Sequence, residues 1–444
     1  MPPSKSIAVR VLMINALAYT SVKLRSDETT TELSEQSEKP YNFFGNQKFQ
    51  KFQLFIEKVL RQACCDDIEV MRRALASDGD HIDVGASGTA MRFLTAYFAC
   101  REGRVVTLDG IPRMRQRPIG PLVDALRQMG AGIEYLGDEG YPPLKIEGRK
   151  LHGGTLTLRG DVSSQFISAL LMIAPVVGGI TLTVEGDIVS RPYIDMTLAL
   201  MRHYGIDACV VSENQIMVPE GHYVSAPYYL EGDWSAASYW FALKALLPVS
   251  RIVLSPLFEN SIQGDWAIVE MMAPLGVKAH FLEDGKVTLS CSNYHTPHSL
   301  RDSSSILEEQ LGCASSKTLR YERDLAATPD LVPTLAVTLC LLRVPFTLTG
   351  VATLRLKESD RLEALRMELG TLGYSLDVGD NSLSYDGNHT EIKGEVVLDP
   401  HSDHRMAMAL SLAATRHPAI TIKNAEVVSK SYPQWWKQLM HNAQ

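Results

Sequence analysis

One arrangement of apolar and polar positions occurs four times along the chain. In each copy an amphipathic helix ends at a glycine, and two short strands follow, with a polar turn between them. Glycine is typical just past a helix C-terminus because it adopts the left-handed backbone conformation at little cost. The glycines are Gly130, Gly205, Gly276 and Gly373, which follow predicted helices at 118–129, 192–204, 265–275 and 359–372. The predicted strand pairs are 131–136 with 144–147, 206–211 with 215–218, 277–281 with 286–290, and 374–378 with 382–385.

This repetition predicts an α/β protein in which one supersecondary unit recurs within two related domains, because the glycines are too far apart for a solenoid repeat. We place the domains at 1–225 and 226–444, since the chain passes there from a strand-like run to a new helix. The alternative is that the pattern only reflects how common helix–glycine–strand connections are in α/β proteins. A polar segment near 25–51 is predicted to be an insertion in the first domain.

Composition narrows the class of protein. The 444 residues carry 43 Lys and Arg against 51 Asp and Glu, a formal net charge of −8, which argues against a general nucleic-acid binder. The seven cysteines are scattered without a CxxC pair, as is typical of reduced thiols in the cytoplasm. The most apolar stretch, 166–180, is shorter than the roughly 20 residues of a membrane span. We therefore expect a cytoplasmic protein that binds neither nucleic acid nor membrane.

Six small polar or basic clusters stand directly before, or in the first turn of, apolar helices. A helix N-terminus presents free N–H groups and a partial positive charge, so it suits phosphate and carboxylate groups. Any one cluster is more simply explained as an ordinary helix cap. Their recurrence in a chain of net negative charge favours several helix starts that bind a polyanionic small molecule. The clusters are 4–6 with Arg10, 85–89 with Arg92, 163–165, 190–192, 357–361 and 402–405.

Three alternating arginines, Arg113, Arg115 and Arg117, form a further basic segment before Pro118. Their mutual repulsion is unfavourable unless anions or acids neutralise it, although a solvated basic loop is an equal alternative. Proline favours the first position of a helix, so a helix is expected to begin at Pro118.

Two acids are candidates for proton transfer. Asp330 precedes an apolar helix predicted at 331–342, and Glu358 lies between Lys357 and Arg361 at another helix start. Capping and ion pairing are the commoner roles of such acids, but a carboxylate beside a reacting hydroxyl can act as a general base. The sequence holds no P-loop, no GxGxxG after a strand and no GxSxG elbow, so nucleotide-dependent and serine-hydrolase functions gain no support.

Taken in order, these motifs resemble the 5-enolpyruvylshikimate-3-phosphate synthase family. Each motif alone is weak, but the ordered set spans nearly the whole chain and is therefore specific. The set comprises Pro3-Ser4-Lys5-Ser6 with Arg10, Gly88-Thr89-Ala90-Met91-Arg92, Pro112-Arg113-Met114 with Arg117-Pro118-Ile119, Ser163-Ser164-Gln165-Phe166, Lys357-Glu358-Ser359-Asp360-Arg361, Asp403-His404-Arg405-Met406-Ala407-Met408, and Lys430.

The resemblance implies a two-domain inverse α/β prism, each domain built from three βαβαββ units around buried helices. It also implies the reaction. The enolpyruvyl group of phosphoenolpyruvate would pass to the 5-hydroxyl of shikimate 3-phosphate, with release of phosphate, in the shikimate pathway to chorismate and the aromatic amino acids. The expected partners are these two small molecules, with no metal, no organic cofactor and a monomeric enzyme.

Carried over motif by motif, the resemblance also implies site residues. Asp330, Glu358 and Lys5 would be catalytic, with Asp330 as the base for the 5-hydroxyl and Glu358 as the acid for the methylene carbon. Shikimate 3-phosphate would be bound by Lys5, Ser6, Arg10, Ser163, Ser164, Gln165, Ser190, Asp330 and Lys357. Phosphoenolpyruvate would be bound by Lys5, Gly88, Arg117, Gln165, Arg361, Arg405 and Lys430. Glyphosate inhibits this family, and Gly88→Ala is expected to crowd that inhibitor more than phosphoenolpyruvate.

Two alternatives to this function stay open at the level of sequence. UDP-N-acetylglucosamine enolpyruvyl transferase shares the fold and the donor substrate, but that family usually has a reactive cysteine where this chain has 113–118. A degenerate homologue that only binds anions is the second alternative. The joint presence of Lys5, Asp330, Glu358, Arg405 and Lys430 argues against it.

Overall fold

A computed structural model describes residues 1–30, 65–160, 163–247, 251–291 and 320–442. The chain forms two compact units. The N-terminal unit is Lys5–Leu230, and the C-terminal unit combines Met1–Ser4 with Glu231–Gln444. The first helix continues to Thr30, so the start of the predicted 25–51 insertion is helical. The remainder of that insertion lies outside the described residues.

The described part of the N-terminal unit contains six α-helices and eight strands. The helices are α1 (Lys5–Thr30), α2 (Asp66–Leu75), α3 (Gly88–Ala99), α4 (Gly120–Gln128), α5 (Ser164–Ile173) and α6 (Arg191–His203). The strands are β1 (His81–Asp83), β2 (Val105–Asp109), β3 (Gly132–Tyr135), β4 (Leu144–Glu147), β5 (Gly154–Arg159), β6 (Ile180–Glu185), β7 (Cys209–Ser212) and β8 (Gln215–Val218).

These strands form two sheets of identical topology. The orders are β1-β2-β4-β3 and β5-β6-β8-β7. In each sheet the first pair is parallel, joined across a buried helix, and the other two pairs are antiparallel. Each sheet with its two helices is therefore one βαβαββ unit.

The described part of the C-terminal unit repeats this design. Its helices are α7 (Trp234–Leu246), α8 (Ile268–Met272), α9 (Val332–Leu341), α10 (Arg361–Thr371), α11 (His404–Ser411) and α12 (Trp435–Asn442). Its strands are β9 (Ile252–Leu254), β10 (Val277–Phe281), β11 (Val287–Cys291), β12 (Tyr321–Asp324), β13 (Phe346–Thr349), β14 (Tyr374–Val378), β15 (Ser382–His389), β16 (Val396–Leu398) and β17 (Ile420–Ile422). The order β12-β13-β15-β14 is a third complete βαβαββ unit, while β10-β11-β9 and the parallel pair β16-β17 are shorter.

Several helices are the core of their units and not surface elements. Every residue of α9 and α11 is buried, as is every residue of α3 except Thr89 and every residue of α5 except Gln165. A helix that is surrounded by protein needs apolar side chains on all of its sides. This explains the near-continuous apolar runs in the sequences of these helices. The two residues that escape burial, Thr89 and Gln165, both lie in the first turn of their helices.

The repeat predicted from the sequence is confirmed in its main features. Gly130, Gly205, Gly276 and Gly373 all have a positive φ, between 84° and 102°, just past a helical segment. Two expectations were wrong in detail. A helix begins at Gly120 and not at Pro118. Arg117, which follows the short 3-10 turn Met114–Gln116, has extended backbone, and the backbone of Ile119 is not helical either. The helix expected at 265–275 is divided into a 3-10 turn, α8 and a second 3-10 turn.

Among the described helices, none combines the length and the apolar character that crossing a membrane requires.

Candidate functional site

The polar clusters noted in the sequence do open helices. In the N-terminal unit, α1 begins at Lys5, α3 at Gly88, α5 directly after Ser163 and α6 directly after Ser190. The first turns of α3 and α5 meet, because Gln165 Nε2 donates to Thr89 Oγ1 at 3.0 Å. These two residues are the exceptions to burial on their helices. The polar ends of two core helices therefore lie together.

Arg10 ties three of these helices to one another. Its side chain is 2% exposed, and its Nε donates to Thr197 Oγ1 on α6 at 2.7 Å. Its Nη2 donates to Ser168 Oγ on α5 at 3.3 Å, and its Nη1 to the Ser6 carbonyl at 2.8 Å. Burial lowers the pKa of Arg10 to about 10. Arg10 thus links α1, α5 and α6 through hydrogen bonds, a structural contribution that the sequence did not reveal.

Gly88 and Arg117 are in close contact. A Cβ built on Gly88 would lie 2.4 Å from Arg117 Nη1 and 2.7 Å from its Cζ. Arg92 supports this arrangement, because its Nη1 donates to the Gly88 carbonyl at 3.0 Å and its Nη2 to the Pro118 carbonyl at 3.1 Å. Arg92 is 4% exposed, and its hydrogen bonds hold the start of α3 next to Pro118. The motif that contains Arg92 does not by itself reveal this role.

Lys5 is paired with an acid that the sequence did not single out. Its Nζ lies 3.1 Å from Asp67 Oδ2 on α2, and Asp67 is buried. Of the predicted serines, Ser163 accepts the Gln165 N–H at 3.3 Å, Ser164 is buried, and Ser6 contributes its carbonyl to Arg10. Ser190 has a φ of 59° at the N-cap of α6 and makes no capping hydrogen bond through its side chain to the described first turn of that helix.

In the C-terminal unit, Asp330 is held by two arginines. Arg361 Nη1 donates to its Oδ1 at 3.0 Å, and Arg405 Nη2 donates to its Oδ2 at 2.7 Å. Lys357 Nζ lies 3.9 Å from the same carboxylate. Charge-assisted hydrogen bonds of this kind are about twice as strong as neutral ones. Asp330 is therefore fixed in orientation while 17% of its side chain stays exposed.

Glu358, like Asp330, is held by two cationic side chains. It accepts from Arg361 Nη2 at 3.0 Å and from Lys430 Nζ at 2.6 Å, with 15% of its side chain exposed. Arg361 thus bridges the two candidate acids. The cationic cluster, which we define as Lys357, Arg361, Arg405 and Lys430, surrounds both of them.

Asp403 binds two members of the cationic cluster, Arg361 and Arg405, a role that its place in the sequence did not reveal. It is fully buried, accepts from Arg361 Nε at 2.7 Å and caps α11 by accepting the Arg405 N–H at 2.9 Å. Burial alone would lower the pKa of Arg361, but the carboxylates of Asp403, Glu358 and Asp330 raise it above its ordinary value. The only sequence signal was an aspartate at a helix start, which is also the signal of an ordinary cap.

A second buried acid, Asp265, lies within electrostatic range of this network. Burial and the neighbouring Asp330 carboxylate raise the pKa of Asp265, Arg405 and a hydrogen bond from the Ser235 hydroxyl oppose the shift, and the pKa that results is about 6. The four cations of the cationic cluster face three carboxylates, those of Asp330, Glu358 and Asp403. Such a group can bind an anion and still present acids for proton transfer.

Comparison with known proteins gives the relatives of the chain. The sequence family described as EPSP synthase (3-phosphoshikimate 1-carboxyvinyltransferase) matches residues 1–439. A relative named 3-phosphoshikimate 1-carboxyvinyltransferase in Bacteroides fragilis strain YCH46 is 42% identical over 441 residues, which cover 99% of this chain and 93% of the relative. A relative of the same name in Vibrio atlanticus strain LGP32 is 32% identical over 446 residues, which cover 99% of this chain and 95% of the relative.

Solved structures resemble the fold. An EPSP synthase from Acinetobacter baumannii gives a TM-score of 0.63 at 18% identity, covering 100% of this chain and 94% of that one. The enolpyruvyl transferase NikO from Streptomyces tendae gives a TM-score of 0.55 at 18% identity, covering 80% of this chain and 76% of that one. The predicted two-domain inverse α/β fold class is confirmed by this likeness. Together with the match over residues 1–439, these findings show that the chain belongs to the EPSP synthase family.

Proposed function

We propose that the chain transfers the enolpyruvyl group of phosphoenolpyruvate to the 5-hydroxyl of shikimate 3-phosphate and releases inorganic phosphate. The observation that carries this proposal is the pair Asp330 and Glu358, two partly exposed carboxylates bridged by the buried Arg361. The reaction needs one group to take a proton and another to give one, and it needs cations for highly charged substrates. The names of the relatives point to the same reaction.

Two kinds of donor are available for the substrates. Arg361, Arg405 and Lys430 provide the charge that the phosphate and carboxylate of phosphoenolpyruvate require, and arginine pairs with such groups in a bidentate way. We assign Gly88 and Arg117 to the same substrate. Shikimate 3-phosphate is assigned to the hydroxyl and amide donors of the N-terminal unit, together with the cations Lys5, Arg10 and Lys357. The members of that set without formal charge are Ser6, Ser163, Ser164, Gln165 and Ser190.

Asp330 is the group that takes the proton of the 5-hydroxyl. Arg361 and Arg405 both donate to it, so the side chain is held as a carboxylate, which is the form that a base requires. Its exposed fraction lets a substrate hydroxyl approach the remaining lone pairs. Removal of the proton lets the hydroxyl oxygen attack C2 of phosphoenolpyruvate.

Glu358 is the group that protonates the methylene carbon, and its surroundings set a condition on that step. Arg361 and Lys430 both favour its ionised form, so a proton must reach Glu358 before it can act as an acid. Anionic phosphoenolpyruvate on the same cations offsets their charge and raises the affinity of Glu358 for a proton. The Lys430 ammonium, 2.6 Å away, is one donor in hydrogen-bond contact with this carboxylate.

These two transfers complete the first half of the reaction. A C–O bond forms at C2, the methylene becomes a methyl group, and a tetrahedral intermediate results. In the second half, phosphate leaves from C2 and takes up the proton that Asp330 had accepted, while one methyl proton returns to Glu358, which restores the double bond. General acid–base catalysis of this kind typically contributes about 10²–10⁴-fold.

A phosphate-release assay on the full chain tests the proposal. Phosphoenolpyruvate is supplied with shikimate 3-phosphate in one series and with UDP-N-acetylglucosamine in the other. We expect phosphate only in the first series. Release only in the second would instead favour the other enolpyruvyl transferase, and release in neither would favour an anion-binding homologue. A monomeric state and a cytoplasmic location stay predictions from the sequence, which sedimentation and fractionation would test.

A further inference from the structure

The turn that leads into α11 has an unusual backbone. His401 and Ser402 have φ of 52° and 57°, in the left-handed region that residues with a Cβ rarely adopt. Six described non-glycine residues have a positive φ, and these two are adjacent to each other and to Asp403. Strain of this kind persists only where the surrounding contacts impose it.

A single helix holds this turn at two points. Arg361, the first residue of α10, binds Asp403 after the turn through Nε at 2.7 Å. Glu368, two turns further along α10, binds the turn itself. Its Oε1 lies 2.8 Å from His401 Nε2, and its Oε2 accepts the Asp399 N–H at 2.8 Å.

The turn is also closed internally. The His401 N–H donates to Asp399 Oδ1 at 2.8 Å, and the Asp403 N–H donates to the Pro400 carbonyl at 2.9 Å. Glu368 is 6% exposed although it sits in a helix with a solvent-facing side, so a charged group has been buried to make these contacts. Burying a carboxylate is costly unless it is fully hydrogen-bonded, and here both oxygens are engaged.

We propose that Glu368 and His401 are a positioning pair, which holds the strained turn so that Asp403 and Arg405 stand where the cationic cluster needs them. The pair contacts neither Asp330 nor Glu358 and acts through the backbone of 399–403. The proposal rests on the proposed function, since it concerns how Arg361 and Arg405 are placed to bind phosphoenolpyruvate. Glu368 and His401 lie outside the substrate-binding motifs, and under this proposal they contribute to substrate affinity.

Ser402→Gly separates positioning from mere structural support. Glycine adopts a positive φ without strain, so the substitution should raise the melting temperature. The same freedom loosens the turn, so the KM for phosphoenolpyruvate should rise about 3- to 30-fold with kcat nearly unchanged, as expected for small displacements of a binding group. A purely structural role predicts a stability gain with no loss of affinity.

Asn260→Gly is the matched control. Asn260 has a φ of 58° in an exposed turn of the same unit and is not a member of the cationic cluster, so the substitution relaxes the backbone in the same way at a different site. Its KM should equal that of the wild type. A second pair of variants tests the side chain: His401→Ala should weaken substrate affinity, and His401→Gln should restore it because its amide can donate to Glu368.

Inorganic phosphate serves as a probe that does not depend on turnover. Its dissociation constant, measured by calorimetric titration of each full-length variant, should rise in Ser402→Gly and His401→Ala and stay unchanged in Asn260→Gly and His401→Gln. Wild-type protein that binds phosphate but releases none from phosphoenolpyruvate would contradict the proposed function and leave this inference standing. Equal phosphate affinity and equal KM in all five proteins would overturn the inference itself.

Discussion

The guanidinium of Arg117 lies against the Cα of Gly88, so that a methyl group on Gly88 would come within 2.4 Å of Arg117 Nη1. From the sequence, this methyl group is expected to crowd a bound inhibitor. The structure indicates that it first meets a side chain of the protein. Because the contact is with the far end of a flexible arginine, Arg117 can move aside without disrupting the fold.

Gly88→Ala should therefore act through Arg117. We expect the KM for phosphoenolpyruvate to rise about tenfold, because the guanidinium that we assign to this substrate is displaced, while stability changes by less than about 1 kcal/mol. Steady-state kinetics check this, with Gly370→Ala as the control, since a Cβ at Gly370 on α10 would meet nothing within 4 Å.

A double-mutant cycle tests the mechanism of that effect. Arg117→Ala should weaken phosphoenolpyruvate binding by itself, and adding Gly88→Ala to it should change little more, because the displaced group is already gone. If the two effects on KM simply add, the methyl group acts on the ligand and not on Arg117. Glyphosate inhibition constants measured on the same four proteins show whether the inhibitor depends on Arg117 more than the substrate does.

Removing Asp403 should destabilise the C-terminal unit strongly. Asp403→Ala takes one partner from the buried Arg361 and the cap from α11, and breaking a buried ion pair costs about 3–5 kcal/mol. Asp403→Asn keeps an oxygen for the cap and should cost less. Urea unfolding midpoints measure both variants. Equal stability of Asp403→Ala and wild type would contradict the anchoring role.

Much of the fold was accessible from the sequence because it rests on local interactions. The glycines past helix ends, the strand pairs that follow them and the polar helix starts all depend on residues within a few positions of one another. Four of the predicted strands, 144–147, 215–218, 277–281 and 374–378, have the observed bounds. The helix expected at 265–275 failed because Pro274 and the short apolar run leave room only for α8.

The network around Arg361 was not accessible in the same way. Arg361 reaches Asp330 across 31 residues and Asp403 across 42, and Lys430 reaches Glu358 across 72. Nothing in the local pattern distinguishes these partners from other acids at helix starts. The resemblance named the members of the site, but only the structure shows that Arg361 joins Asp330 to Glu358 and that the buried Asp403 supports it.

Asp265 predicts a dependence of stability on pH. Its pKa of about 6 in the folded protein lies above the ordinary 3.8, so the folded state binds the proton more tightly than the unfolded chain. The stabilising contribution of this group is present below about pH 4 and is lost as the pH rises through 6. Asp265→Asn should therefore melt at a higher temperature than the wild type at pH 8, and the difference should shrink towards pH 4.

Asp284 serves as a control because its pKa is shifted in the opposite direction to that of Asp265. The hydrogen bond from Lys286 lowers the pKa of this exposed carboxyl, so Asp284→Asn should lose a little stability at pH 8 and none below its pKa. Melting temperatures of both variants from pH 4 to 8 separate the two cases, because the difference between Asp265→Asn and the wild type should change over that range while the difference for Asp284→Asn should stay nearly constant. A constant difference between Asp265→Asn and the wild type over that range would contradict the proton linkage assigned to Asp265.

The central claim is that Asp330 and Glu358, joined by Arg361, carry the proton transfers of enolpyruvyl transfer. The most direct measurement is the rate of phosphate release from phosphoenolpyruvate and shikimate 3-phosphate by the wild type, Asp330→Asn and Glu358→Gln. We predict steady release by the wild type and a loss in kcat of about 10²–10⁴-fold in each variant, because each lacks one proton-transfer group. Calorimetric titration with shikimate 3-phosphate should show that both variants still bind it. Near-normal turnover in either variant, or no release by the wild type, would contradict the account.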